Sequence, residues 1–209
     1  MRLLIIGGTR GIGQQTVLQA LAQGHEVTVL ARHPAKVTGQ YDRLTIHPGD
    51  ILVRESVVQA MAGQDAALVT IGIPPTWRPV TVFSAGTQNV LAAMAQHGVP
   101  RLLAVTGIGA GDSKGHGGWF YDRLLQPLLL GSIYADKDRQ EDLIRRSSVQ
   151  WTIVRPGFLT NGPLTGKYRI ITDLTGVTCG KISRADVAHF LLQEVVANQY
   201  IGQTPLLMY

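Results

Sequence analysis

The feature that most narrows what this chain can become is Gly7-Gly8-Thr9-Arg10-Gly11-Ile12-Gly13, a glycine turn between segments of different periodicity. Before it, Leu3 to Ile6 is a continuous apolar run of strand length. After it, Gln14 to Gln23 has helical spacing and is ended by Gly24. A strand that turns on glycines into a helix is where a dinucleotide places its diphosphate, because the helix opens with free N–H groups and the positive end of its dipole. On that reading Gly7 permits the tight turn, Gly11 lets the backbone approach the diphosphate, and Gly13 lets the helix pack closely on the strand. The spacing is G-x-x-x-G-x-G rather than G-x-G-x-x-G. A glycine turn with no ligand is the plainer reading, and its position between strand and helix argues against it.

The pattern then recurs. Glu26 to Leu30 and Leu44 to His47 read as strands, Arg54 to Ala62 as a helix, Ala66 to Ile71 as a strand, Val80 to His97 as a helix and Arg101 to Val105 as a strand. A glycine-rich polar loop, Thr106 to Gly118, follows. Trp119 to Leu130 is unusually apolar, and a helix packed on the core is favoured over a lid or a partner surface. Tyr134 to Arg146 is a charged helix, Trp151 to Val154 a sixth strand, Arg184 to Ala197 a last helix and Pro205 to Met208 an edge strand. Such alternation predicts an α/β fold, a doubly wound parallel sheet with helices on both faces. The 209 residues suit one Rossmann-type domain over the whole chain.

Composition excludes several classes. The net charge of +5 comes from 19 Lys and Arg that are scattered, without a basic run or interleaved aromatics, so nucleic acid is not expected as a partner. A mildly basic pocket would equally attract a polyanionic cofactor. The single cysteine, Cys179, excludes an intrachain disulfide framework, and the six dispersed histidines give no metal-ligand spacing. No apolar run nears the roughly 20 residues that span a bilayer, and the apolar start is too short for a signal peptide. The expectation is a cytoplasmic protein, monomeric, with no metal and no membrane.

Residues after the other strands refine the cofactor. A carboxylate after the second strand would hydrogen-bond the 2′-hydroxyl of NAD, whereas this strand ends in Arg32-His33, a match to the 2′-phosphate of NADP. Arg10, in the first loop, is able to reach the same phosphate as a bidentate donor. Asp50, after the third strand, is placed to accept from the adenine amino group with Ile51 beside the ring, and capping of the next helix is its rival role. Gly72 and Thr106-Gly107 fall at carboxyl ends of strands, where open α/β sheets bind ligands.

Taken with Gly49-Asp50, Gly63-Gln64-Asp65-Ala66, Trp151-Thr152-Ile153-Val154-Arg155-Pro156 and Gly162-Pro163-Leu164-Thr165-Gly166, these residues resemble the atypical short-chain dehydrogenase/reductase superfamily. The likeness is strongest to the branch of biliverdin reductase B and flavin reductases, with NmrA-like proteins as wider relatives. It implies an NADPH-binding monomer that passes hydride to a planar conjugated acceptor, a flavin or a linear tetrapyrrole. By position it implies that Thr9 to Gly13, Ile12 included, and Arg32 hold phosphates, that Thr106 lies beside the nicotinamide, and that Pro156-Gly157 line its carboxamide side.

The chain also departs from that pattern. The Tyr-x-x-x-Lys pair of many short-chain dehydrogenases, in which a phenol transfers a proton and the lysine lowers its pKa and holds the ribose, is absent: Ile133 stands four residues before Lys137. Tyr134, three residues before Lys137, shares its helix face at a different angle. The serine expected after Thr106 is Gly107, and the histidine expected after Gly157 is Phe158. Thr106, Tyr134 and Lys137 are the candidate catalytic groups, while His116 and Tyr121 read more simply as loop or core residues. Besides a reductase, two other readings fit: an NmrA-like dinucleotide sensor contacting a partner through Trp119 to Leu130, and a sugar-nucleotide epimerase. The short stretch after Thr160 leaves the epimerase little room for a sugar-binding subdomain.

Overall fold

In the computed structural model, which describes residues 1–37, 39 and 41–209, β1 (Arg2–Ile6) is an apolar run because both of its faces are covered. Leu3 and Ile5 point to one side and Leu4 and Ile6 to the other, and each pair joins a separate apolar cluster. Around β1 stand α1 (Gly11–Ala22), β2 (Glu26–Ala31), β3 (Leu44–Pro48), α2 (Arg54–Met61), β4 (Ala66–Val69), α3 (Val82–His97) and β5 (Arg101–Val105). There follow α4 (Gly131–Arg145), β6 (Gln150–Pro156), β7 (Phe158–Thr160), β8 (Arg169–Ile171), β9 (Lys181–Ser183), α5 (Arg184–Ala197) and β10 (Leu206–Met208).

The main sheet runs β3-β2-β1-β4-β5-β6-β10-β8. All its strands are parallel except β8, which is antiparallel to β10. The first cluster packs α1 and α5 on one face, and the second packs α2, α3 and α4 on the other. This is the doubly wound α/β arrangement expected from the sequence. Its strand order reverses at β1, between β2 and β4, so a crevice opens beyond Ile6 and Val69.

Three elements differ from expectation. The segment Pro205 to Met208 does form a strand, but β10 is interior, because the three residues of β8 cover its outer side. Helix α1 begins at Gly11, inside the glycine turn, not at Gln14. Trp119 to Leu130 is not buried in the core: its main part, Tyr121–Leu130, is a π-helical segment without a buried residue, touching small apolar clusters only through half-buried Tyr121 and Leu130, and Trp119, Phe120 and Leu128 are exposed. Pro127 lacks an N–H and cannot join an α-helical ladder, consistent with the wider winding there. Among the described residues, no helix is long and apolar enough to cross a membrane.

Candidate functional site

Seven parallel strands bring their carboxyl ends to one edge, and with them nearly every residue singled out in the sequence. Gly7 follows β1 with φ +98°, a left-handed conformation that a side chain would strain; a Cβ there would also stand 2.9 Å from the backbone of Thr70 and Ile71. Gly13 is where helix meets strand: a Cβ would lie 2.5 Å from Thr70 Oγ1 and 2.7 Å from the Gly7 carbonyl carbon. Thr70 ties the two central strands by donating its hydroxyl to the Ile6 carbonyl at 3.1 Å.

Helix α1 opens without protection. Arg10 at its N-cap makes no side-chain cap bond, and no acidic residue lies in its first turn. Helix α5 is the contrast: the Ser183 hydroxyl accepts from the Asp186 N–H at 3.0 Å, and Asp186 is itself acidic in that first turn. An uncapped, glycine-lined helix start at the switch point is fitted to receive an anion, since its N–H groups otherwise have only water.

The flanking residues divide. Arg10 reaches across the crevice, its guanidinium donating to the Gly72 carbonyl at 3.0 Å. Arg32 is exposed just after β2 and forms no ion pair among the described residues. Asp50 is half-buried, and its carboxylate accepts from the Leu52 N–H at 3.0 Å, so it shapes a turn and does not cap α2, whose N-cap is Val53. Ile51 is buried, its side chain lying against Gly86 of α3.

At the end of β5 the three candidate catalytic residues meet. Lys137 donates from Nζ to the Thr106 carbonyl and lies 5.4 Å from the ring centres of Phe83 and Tyr134. The Tyr134 hydroxyl stands where a side chain at position 107 would be, 3.1 Å from an ideal Cβ there. It accepts a hydrogen bond from the Tyr121 hydroxyl at 3.0 Å. Tyr121 packs edge-on against Phe158, ring centres 5.2 Å apart, which draws the π-helical segment and β7 into the cluster. Gly157 sits close against Cys179 and Gly180, so Pro156-Gly157 is backed by the segment leading into β9. Burial drives the Tyr134 phenol well above its usual pKa and raises that of Tyr121, so both stay protonated at neutral pH. Burial also lowers Lys137 to about 8, against the opposing pull of Glu141.

In the sequence Glu141 has no assigned part, and Arg155 enters only as a member of the Trp151 to Pro156 block, without a role. Both are buried; Arg155 donates to the Glu141 carboxylate at 3.1 Å through Nε and at 2.5 Å through a terminal nitrogen. Glu141 also accepts from the Thr106 hydroxyl at 2.7 Å, which fixes Thr106 from below. The available signal was the spacing of Glu141, one helical turn beyond Lys137. Asp136 was missed too: buried on α4, it accepts from the Phe83 and Ser84 N–H groups at 2.8 and 3.3 Å and from the Ser84 hydroxyl at 2.5 Å, capping α3 from outside its own helix.

Residues 7–198 match the model of a family described as NAD(P)H-binding. An uncharacterized chloroplastic protein of Arabidopsis thaliana is 26% identical over 211 residues, covering 95% of this chain and 73% of that protein. Among solved structures, ChuY, an anaerobilin reductase from Escherichia coli O157:H7, superposes with TM-score 0.85 at 23% identity, over 100% of this chain and 97% of its own. A short-chain dehydrogenase/reductase from Veillonella parvula in complex with NADP gives TM-score 0.83 at 17% identity, over 100% and 94%. At these identities the likeness to the two structures is one of fold.

Proposed function

The chain belongs to the NAD(P)H-binding family, and on that premise we propose that it is an NADPH-dependent reductase acting on a planar conjugated acceptor such as a flavin or a linear tetrapyrrole. The observation that carries the cofactor site is the uncapped start of α1, with Gly13 pressed against Gly7 and Thr70 so that the helix opens directly onto the crevice. In this proposal Gly7, Thr9, Gly11, Ile12 and Gly13 present backbone to the diphosphate, and Arg32 with Arg10 takes the 2′-phosphate. Asp50 keeps one carboxylate oxygen for the adenine amino group. Ile51 acts from the core, setting the backbone of that loop. Gly72, Gly107, Pro156, Gly157 and Phe158 line the nicotinamide end.

The bound dinucleotide would supply hydride, and the protein would supply position and protons. Thr106, held by Glu141, shapes the floor. Lys137 holds positive charge beside the ribose. The neutral Tyr134 phenol takes the place of the missing serine hydroxyl and is the group for passing a proton to the acceptor as it takes one from Tyr121, which water replenishes, so that no phenolate is left behind. The anaerobilin reductase of the same fold supports a linear tetrapyrrole as an acceptor to try first, and the NADP complex of the other neighbour supports the choice of cofactor.

The test is steady-state NADPH oxidation with FMN, riboflavin and biliverdin as acceptors, run beside Arg32→Glu. Turnover is expected with at least one acceptor, and Arg32→Glu is expected to weaken NADPH far more than NADH. Absence of turnover across a broad flavin, quinone and tetrapyrrole panel overturns the reductase. A dinucleotide sensor is the second reading, favoured by the exposed apolar surface of Trp119 and the π-helical segment, and it requires binding without turnover.

A further inference from the structure

Arg184, the first residue of α5, comes from the far end of the chain to the glycine turn. An ideal Cβ on Gly11 would be 3.6 Å from Arg184 Nε and 3.7 Å from its Cδ. The direction in which Gly11 lacks a side chain is thus the direction in which Arg184 lies. On the dinucleotide reading, that missing side chain leaves room for the diphosphate. The arginine is partly buried, and one terminal nitrogen donates to the Asn161 side-chain oxygen at 2.8 Å. Its backbone is firmly placed: Ser183 before it and Asp186 after it form the cap of α5, and Asp186 also accepts from the Thr165 and Gly166 N–H groups at 2.9 and 2.8 Å. The guanidinium therefore sits on a rigid base, beside an uncapped helix start, with a neutral amide as its acceptor.

We propose that Arg184 is a diphosphate-binding residue, and that its bond to Asn161 is a resting latch that the cofactor replaces. This inference rests on the proposed dinucleotide site. A guanidinium 3.6 Å from that position leaves no space for a phosphate between, so the side chain swings aside as the ligand enters. It exchanges one neutral acceptor for a charged one, which is the stronger hydrogen bond. The contact falls on the diphosphate, so it is indifferent to the 2′-phosphate.

Fluorescence titration with NADPH and with NADH tests this on the full chain. Arg184→Met is expected to raise Kd for both by about 10- to 100-fold and to flatten the dependence of Kd on ionic strength, with Arg184→Lys recovering part of the loss. Arg32→Glu is expected to act mainly on NADPH. Asn161→Ala, which removes only the resting partner, is expected to leave Kd unchanged or slightly lower. Wild-type affinity in Arg184→Met at unchanged melting temperature overturns the inference, as do equal losses in Arg184→Met and Asn161→Ala. Failure of the wild type to bind either dinucleotide would instead overturn the proposed function beneath it.

Discussion

A methyl group at position 13 has nowhere to go, because Thr70 Oγ1 and the backbone of Gly7 occupy its place at 2.5 to 2.7 Å. Both neighbours are held, Thr70 by its bond to Ile6 and Gly7 by the turn itself. Gly13→Ala must therefore push α1 away from β1 and β4. The expected cost is about 1–3 kcal/mol, as for other overpacked sites, together with lost NADPH binding as the turn opens. Thermal melts and titration check it, and a variant with wild-type melting and affinity would contradict the close packing. At this scale the sequence was most legible where backbone geometry dictates residue type, as at Gly7 and Gly13. It was less legible where a side chain acts at a distance. The loss of a serine hydroxyl at Gly107 is plain in the sequence, yet that the Tyr134 hydroxyl fills the same space depends on the angle between α4 and β5. Arg184 likewise reads only as the start of a helix until the sheet closes and sets it beside Gly11.

Elements cap one another in ways that local sequence does not announce. Helix α3 starts at Val82 after Thr81, which makes no side-chain cap bond. Asp136 of α4 serves instead, and Arg139 one turn on pairs with it at 3.0 Å while donating to the Val80 carbonyl at 2.9 Å. Asp136→Ala is expected to lower stability by about 2–3 kcal/mol, since it removes a buried charged acceptor from two N–H groups and leaves Arg139 unpaired. Urea unfolding measures the loss. Asp136→Asn, which keeps a carbonyl acceptor, should lose less, and equal stability of the alanine variant would show that water substitutes at that end of α3. The long periodic helices and buried strands were legible because their apolar spacing states their faces. The short strands β7, β8 and β9 were not: three residues carry no period, and none of them is a wholly apolar run like the Leu206–Met208 of β10. Trp119 to Leu130 runs against its apolar content, which by itself does not state burial: Leu124, Leu125, Leu128 and Leu129 are all exposed.

At the scale of the whole molecule, the strand order that follows from alternation also decides where stability is given up. The reversal at β1 leaves a crevice, and the fold surrounds the far end of it with groups that are costly to bury. Lys137 is the clearest case: it faces the Thr106 carbonyl and the rings of Phe83 and Tyr134, with Glu141 as the nearby anion. Burial brings it from 10.5 to about 8. Because the folded value is below the unfolded one, the penalty is fully present below about pH 8, where both states carry the proton. Between about 8 and 10 the unfolded chain keeps a proton that the native state has released, so the penalty fades as pH rises. The displacement sets an upper limit of about 3 kcal/mol, and water at the partly open side reduces it to about 1–2. Lys137→Met is thus expected to be more stable than the wild type at pH 7 by that amount, with the two unfolding curves converging toward pH 10. If Lys137 serves the reaction, the same variant loses turnover while gaining stability. Parallel stability profiles across pH 7 to 10 would mean that the lysine is solvated in the native state and that the site holds no such reserve of charge.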